Sequence, residues 1–196
     1  MPMPRQTPSQ TLGPFFAYAL TPEEYGRQGI ASNILVDPHT AGERIHVVGR
    51  VLDGAGAPVG DAMIEIWQAN AAGRYSHPAD DRDGQPDSEI DPYFNGFGRC
   101  GTDDDGCFDF VTIKPGSHGD DDAPHINVCV SARGMLLHLY TRLYFDDEDE
   151  ANGRDRALAL VPDDRIETLL ARRNDAGHYV WDIRLQGADE TVFFDL

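Results

Sequence analysis

Cysteines and acidic residues are the groups in this sequence whose spacing can be compared directly with known kinds of metal site. The three cysteines are Cys100, Cys107 and Cys129, and no Cys-x-x-Cys pair occurs among them, which argues against a structural zinc cluster. The segment 80–91 is rich in aspartate, but it lacks the spacing and the terminal glutamate of an EF-hand calcium loop. No Gly-x-Ser-x-Gly sequence supports serine-hydrolase chemistry. We interpret the cysteines as core residues and 80–91 as a solvated loop.

Five short segments occur in one order along the chain, and their combination is more specific than any one of them. They are 65–70 (EIWQAN), 73–75 (GRY), 97–99 (FGR), 112–116 (TIKPG) and 124–127 (PHIN). Together they resemble the intradiol ring-cleaving dioxygenases, and the resemblance extends from about Pro8 to the C-terminus. It implies a non-haem ferric ion held by two tyrosines and two histidines. The resemblance also implies that a catecholate chelates the ferric ion and then reacts with O2, so that the ring opens between the two hydroxyl carbons.

Of the four ligand positions that the resemblance implies, two carry the expected residue type in this chain and two do not. Tyr75 falls at the first tyrosine and His125 at the first histidine, whereas His118 stands at the second tyrosine and Asn127 at the second histidine. Two phenolates favour Fe(III), and a neutral amide is a poor ligand for it. We therefore expect this chain to bind no catalytic iron. The alternative is a reshaped centre with three ligands, namely Tyr75, His118 and His125.

Two arginines are predicted to lie near this degenerate metal site. Arg133 and Arg142 are on or beside predicted strands, and either could neutralise one of the many carboxylates of an acidic chain. The alternative hypothesis is that Arg133 occupies the place of the missing positive charge. It requires that Arg133 does not point into solvent.

One branch of the family is built from two homologous chains, a beta chain that carries the iron and an alpha chain whose metal site is degenerate. The two replaced ligands match the alpha type, and so do the segments 7–11 (TPSQT), 134–147 (GMLLHLYTRLYFDD) and 187–195 (GADETVFFD). This resemblance implies that the chain works with a homologous beta subunit that holds Fe(3+), and that the complex acts on an aromatic substrate and O2.

The first 40 residues are rich in Pro, Thr and Gly and carry no long periodic segment. We interpret them as an N-terminal arm that contacts the partner subunit. The resemblance implies that Thr11, Gly13 and Pro14 line the substrate pocket at this contact, with Phe15 as apolar wall. Gly13 would permit close approach to a flat ring, and Pro14 would hold the following turn rigid. The alternatives are an arm that only covers an edge strand, a purely structural subunit, and a stand-alone binding module.

The elements that must position these residues are predominantly strands. Alternating apolar residues and turn signals predict about seven strands, at 44–53, 62–68, 107–113, 125–132, 137–145, 179–185 and 191–194. One short helix is predicted where Asp164 can cap and Ile166, Leu169 and Leu170 form an apolar stripe. The sequence therefore predicts a mainly β protein, with an antiparallel β-sandwich domain over 41–196, long loops and the extended arm over 1–40.

Length and charge limit the classes of function. A chain of 196 residues is long enough for one good core. Its formal net charge of −18 argues against binding to nucleic acid or anionic membranes. No run of about 18 apolar residues predicts a membrane span, and residues 1–8 do not resemble a secretory signal. With an odd number of cysteines, these features favour a cytoplasmic location.

Overall fold

A computed structural model of the chain describes residues 16–80 and 90–195, and the fold is mainly β, as the alternating segments predict. The predicted substrate-binding residues Thr11, Gly13, Pro14 and Phe15 lie outside the described residues. Within the described ranges no helix is long and apolar enough to cross a bilayer. The strands are β1 (Arg44–Leu52), β2 (Ala62–Gln68), β3 (Phe97–Gly101), β4 (Cys107–Ile113), β5 (His125–Ala132), β6 (Leu139–Phe145), β7 (Leu170–Arg173), β8 (Tyr179–Val180) and β9 (Ile183–Arg184).

The strands form two facing layers that are joined through β7. The strand order is β3-β2-β5-β6-β7-β8-β1-β4, and β9 pairs with β1 beside β8. The long pairings, β1 with β4, β2 with β3 and β5, and β5 with β6, are antiparallel, as predicted. The pairings of β1 with β8 and β9 and of β6 with β7 are parallel. The sandwich is therefore antiparallel in its main ladders and mixed where the two layers join.

The core lies between the two layers and explains the alternation in the sequence. Ile45 and Val47 of β1 and Phe110 of β4 face Ile64 of β2 and Val128 of β5, and each of these side chains is almost completely buried. Successive side chains of a strand point to opposite faces, so the intervening residues of β2 and β5 line the outer surface of their layer. This outer surface carries the residues that the sequence relates to a metal site.

Helical structure is limited to short segments, and the expectation of a single helix was wrong. The helix predicted after Asp164 is a 3-10 helix over Asp163–Leu169, and Leu170 already begins β7 by pairing with Tyr144. Sheet pairing at Leu170 therefore overrides the apolar stripe that favoured an α-helix. The other segments are α1 (Phe16–Leu20), α2 (Asp149–Asn152) and the 3-10 helices Pro22–Tyr25 and Leu158–Leu160.

The described part of the N-terminal segment, 16–40, packs along the sandwich. The backbone N–H of Leu35 donates to the carbonyl of Val111 at 2.8 Å, and the N–H of Arg99 donates to the carbonyl of Ser32 at 3.1 Å. The guanidinium of Arg99 also lies 3.4 Å from the carbonyl of Leu20, at the end of α1. Contact of this segment with a partner subunit remains a prediction.

Candidate metal centre

The structure brings together the four residues at the implied ligand positions. The Tyr75 hydroxyl lies 3.5 Å from Nε2 of His125, and Nδ2 of Asn127 donates to the same hydroxyl at 3.0 Å. The ring of His118 packs edge-on against the ring of Tyr75, with centroids 5.2 Å apart. His125 and Asn127 are two residues apart on β5, so both side chains leave the strand on the same face.

A glycine turn holds Tyr75 and His118 next to each other. Gly73 has φ +75°, and a Cβ at this position would lie 1.9 Å from the carbonyl oxygen of Ser117. The two loops therefore approach so closely that only glycine is accommodated. The Gly73 carbonyl also lies 3.1 Å from Nδ1 of His118.

The hydrogen-bond network of this site consists of neutral groups. Nδ1 of His125 lies 2.8 Å from the carbonyl of Ala123, which requires a proton on that nitrogen and leaves Nε2 to face Tyr75. Burial, assisted by the positive charge of Arg142, lowers the pKa of His125, and burial raises the pKa of Tyr75. At neutral pH the imidazole is therefore uncharged and the phenol keeps its proton.

This set of donors does not fit a ferric ion. Nδ2 of Asn127 donates both to Tyr75 and to the carbonyl of Trp67, at 3.1 Å, so the amide presents hydrogen atoms where a metal ligand would present a lone pair. His118 also stands where a second phenolate would stabilise Fe(III). A reshaped centre of Tyr75, His118 and His125 would carry one phenolate instead of two, so its charge would favour Fe(III) less.

A buried acidic group lies directly behind His125, and sequence reasoning missed it. Asp122, His125 and Asp155 have side-chain ligand atoms within 4.8 Å of one another, and this is the one such group of three or more His, Cys, Asp or Glu within 16–80 and 90–195. Both carboxylates of this group already interact with other protein groups, and Asp122 pairs with Arg142. Asp155 accepts hydrogen bonds from the backbone N–H groups of Ala123, Ala157 and Leu158 and from the hydroxyl of Tyr144. We therefore interpret Asp155 as an anchor for the loop that positions His125.

The positive charge near the site belongs to Arg142, and the hypothesis that Arg133 supplies it was wrong. Nη1 of Arg142 lies 3.4 Å from Oδ1 of Asp122 and 3.3 Å from the hydroxyl of Tyr144. Arg133 follows the last residue of β5, roughly 25 Å along the strand from His125. Its side chain is 61% exposed and pairs with Asp61 at 2.6 Å. Strand direction therefore separates Arg133 from the four converging residues.

A cavity of about 490 Å³ opens beside these residues on the outer surface of the β3-β2-β5-β6 layer. Residues paired across four adjacent strands form a row in its lining: Phe97, Trp67, Asn127 and Arg142. The side chain of Phe194 contributes to its wall. Tyr75 and Trp67 stack with ring centroids 5.9 Å apart, so the cavity and the degenerate metal site share a wall.

Comparisons with known proteins identify the family of this chain. A family model described as "Dioxygenase" matches residues 13–187. The chain is 46% identical to the protocatechuate 3,4-dioxygenase alpha chain of Burkholderia cepacia, covering 98% of each chain. It is 37% identical to the beta chain of that organism, covering 83% of this chain and 72% of that one. The dioxygenase domain of a carbohydrate-binding fusion protein from Streptomyces sp. SirexAA-E superimposes with a TM-score of 0.61 at 26% identity, covering 96% of this chain and all of that chain. The chain thus belongs to the intradiol dioxygenase family.

Proposed function

We propose that this chain is the alpha subunit of a protocatechuate 3,4-dioxygenase. It would form a complex with a homologous beta subunit and complete the site at which protocatechuate and O2 give 3-carboxy-cis,cis-muconate. The observation that carries the proposal is the combination of high similarity to an alpha chain with a donor set that does not suit ferric iron. The beta subunit then carries the Fe(3+), and the complex works in the cytoplasm.

The N-terminal arm is the part of the chain that we propose to line the partner's substrate pocket, through Thr11, Gly13, Pro14 and Phe15. This proposal is supported by the surroundings of Phe16, the first described residue of the arm. A small cavity of about 160 Å³ is lined by Phe16 and Ala17 of α1 together with Arg133. The exposed guanidinium of Arg133 therefore lies at the base of the arm, where an anionic substrate would be held.

Apolar side chains at the same end of the sandwich support a partner interface there. Arg133 begins the turn between β5 and β6, and this turn also carries Leu136 and Leu137. These leucines are 71% and 59% exposed. Large exposed apolar side chains next to each other are typical of surfaces that a partner covers. We propose that the beta subunit covers this turn and the base of the arm.

The first test of the proposal is the iron content of the separated chain. We expect the purified chain to contain no stoichiometric iron and to lack the visible absorption of a tyrosinate–iron complex. The physical reason is that His118 replaces a phenolate ligand and that Asn127, in place of an imidazole, offers hydrogen-bond donors to the site. The chain co-purified with its beta partner should contain iron and cleave protocatechuate. Iron bound stoichiometrically by the separated chain, with ring cleavage unaided, would refute the proposed division of roles.

The second test concerns Arg133, the cation at the base of the arm. Protocatechuate carries a carboxylate, and a guanidinium binds carboxylates through charge-assisted hydrogen bonds. We expect Arg133→Met in the complex to raise KM for protocatechuate roughly tenfold or more, with a smaller change in kcat. Steady-state kinetics on the purified complex measures both constants.

Arg154→Met is the matched control, because Arg154 is similarly exposed and pairs only locally, with Glu150 at 2.7 Å. It should leave KM unchanged. If Arg133→Met and Arg154→Met give the same KM as the unmodified complex, Arg133 does not bind the substrate carboxylate.

A further inference from the structure

Two histidines form a pair on the outer surface of the layer that contains β1, β4 and β8. Strands β1 and β8 pair in parallel, with Val47 opposite Tyr179. The same register sets His46 beside His178, the residue that immediately precedes β8. The side chains of Val47 and Tyr179 are buried in the core, so those of the two histidines point outward. The histidine rings stack with centroids 4.9 Å apart and planes inclined by 18°.

The ring nitrogens of this pair are not used by the rest of the protein. Among residues 16–80 and 90–195, no hydrogen bond reaches the ring of His46 or His178. By contrast, Nδ1 of His77, His118 and His125 lies 3.1, 3.1 and 2.8 Å from a backbone group. His46 is exposed and His178 is half-buried, so a ligand from solution can reach the pair.

The separation of the two rings matches that of two imidazoles bound to one metal ion. A metal–nitrogen bond of about 2.0–2.1 Å places the ion roughly 3.2 Å from the centre of each ring. Rings at that distance whose centres are 4.9 Å apart subtend about 100° at the ion, which lies between the octahedral and tetrahedral angles. Rotation about χ2, a broad torsion in histidine, would direct one nitrogen of each ring at the ion. The pair is therefore spaced to chelate one ion.

Hydrogen bonds fix the backbone on both sides of the pair. His46 lies within the long antiparallel ladder of β1 and β4, opposite Val111. The N–H of Asn174 donates to the carbonyl of His178 at 2.8 Å, and the N–H of His178 donates to Oδ1 of Asn174 at 3.0 Å. A ligand pair on an ordered backbone loses less conformational entropy when it binds.

The charge of the chain favours a divalent cation at this surface. The formal net charge is −18, and a field of this sign raises the local concentration of cations. Two arginines share the outward face of β1 with His46. Arg50 pairs with Asp182 at 3.0 Å, and Arg44 donates to the carbonyl of Asp37 at 2.8 Å. Both guanidinium groups are thus engaged by oxygen atoms of the protein.

We propose that His46 and His178 bind one divalent transition-metal ion, such as Zn²⁺, which bridges β1 and β8. Imidazole nitrogens suit such ions, whereas Mg²⁺ prefers oxygen ligands. Water completes the coordination, and the role of the ion is to stabilise the fold. The proposal goes beyond the subunit role proposed above and does not depend on it, because both ligands belong to this chain.

Equilibrium dialysis of the untagged full-length chain against radioactive Zn²⁺ tests the proposal. Excess Mg²⁺ is present throughout, so that it occupies the carboxylates of the acidic surface. We expect saturable Zn²⁺ binding that His46→Asn and His178→Asn each weaken by at least about tenfold, because a chelate is reduced to a single ligand. His39→Asn is the matched control, because His39 is also exposed, and it should bind Zn²⁺ like the unmodified chain. The complex with the beta subunit is tested in the same way.

Thermal unfolding gives a second readout, because unfolding separates the two ligands and releases the ion. With Zn²⁺ about a hundredfold above Kd, we expect the Tm of the unmodified chain to rise by roughly 5 °C. The Tm of His46→Asn should rise by less than about 1 °C. Absence of saturable Zn²⁺ binding in excess Mg²⁺, full binding by both variants, or an equal rise in Tm for His46→Asn would each overturn the proposal. None of these results bears on the subunit role, and inactivity of the complex would not affect this test.

Discussion

Gly13→Val in the co-expressed complex is expected to lower kcat/KM for protocatechuate on the order of 100-fold, with the assembly intact. We propose that Gly13 lies against the flat ring of the substrate, where a branched side chain would displace the ring from the metal of the partner subunit. Misplacement of a reactant by about 1 Å costs a factor of this size, because the reacting groups lose their alignment. Steady-state kinetics measures the change, and size-exclusion chromatography verifies that both chains remain together.

The control for this prediction is Gly119→Val. Gly119 is exposed, and an added Cβ would meet no atom within 4 Å. This variant should retain full turnover. If Gly13→Val assembles and turns over substrate like Gly119→Val, the arm does not line the pocket, and the purely structural subunit becomes the better description.

Gly49→Ala is expected to destabilise the folded chain by about 3 kcal/mol or more, because a methyl group would collide with backbone. Gly49 lies in β1, and its Cβ would stand 1.8 Å from the carbonyl oxygen of Trp181. On either side of Gly49, β1 is paired with the neighbouring strands: Val48 pairs with Val180 of β8, and Val51 pairs with Ile183 of β9. Neither strand can move away without breaking them.

Thermal unfolding followed by circular dichroism measures this effect. For a chain of this length, 3 kcal/mol corresponds to a lowering of Tm by roughly 6–12 °C. Gly119→Ala is the matched substitution at an open position, and its Tm should stay within about 1 °C of the unmodified chain. An unchanged Tm for Gly49→Ala would mean that Trp181 does not approach β1 as closely as the structure shows.

The long strands could be predicted from the sequence because their signal is local. The predicted strands 62–68, 107–113 and 125–132 have the bounds that the structure shows. The single strand predicted over 179–185 is two short strands, because the side chain of Asp182 rather than a backbone carbonyl accepts the N–H of Arg50. The strand predicted over 191–194 is reduced to one bridge, between Phe194 and Tyr140. Such interruptions depend on which side chain reaches a neighbouring strand.

Some residues of the candidate site could be predicted from local sequence motifs, whereas others reach the site only through the pairing of distant strands. Tyr75, His118, His125 and Asn127 could be named from short motifs, because each motif places one residue within its own loop or strand. Arg142 approaches Asn127 only through the register of β5 and β6. Arg142 was predicted to lie near the site and to neutralise a carboxylate, as its pairing with Asp122 shows. No spacing within one segment encodes which carboxylate it reaches, and Arg133 was placed there wrongly.

The position of β1 has a consequence for biosynthesis. One edge of β1 pairs with β4, and its other edge pairs with β8 and β9, which are among the last strands of the chain to be translated. Until these strands leave the ribosome, the nascent polypeptide exposes an unpaired edge, which is a template for aggregation. Chaperones that shield this edge should therefore matter more for the yield of this subunit than for a protein whose strands pair in the order of their synthesis.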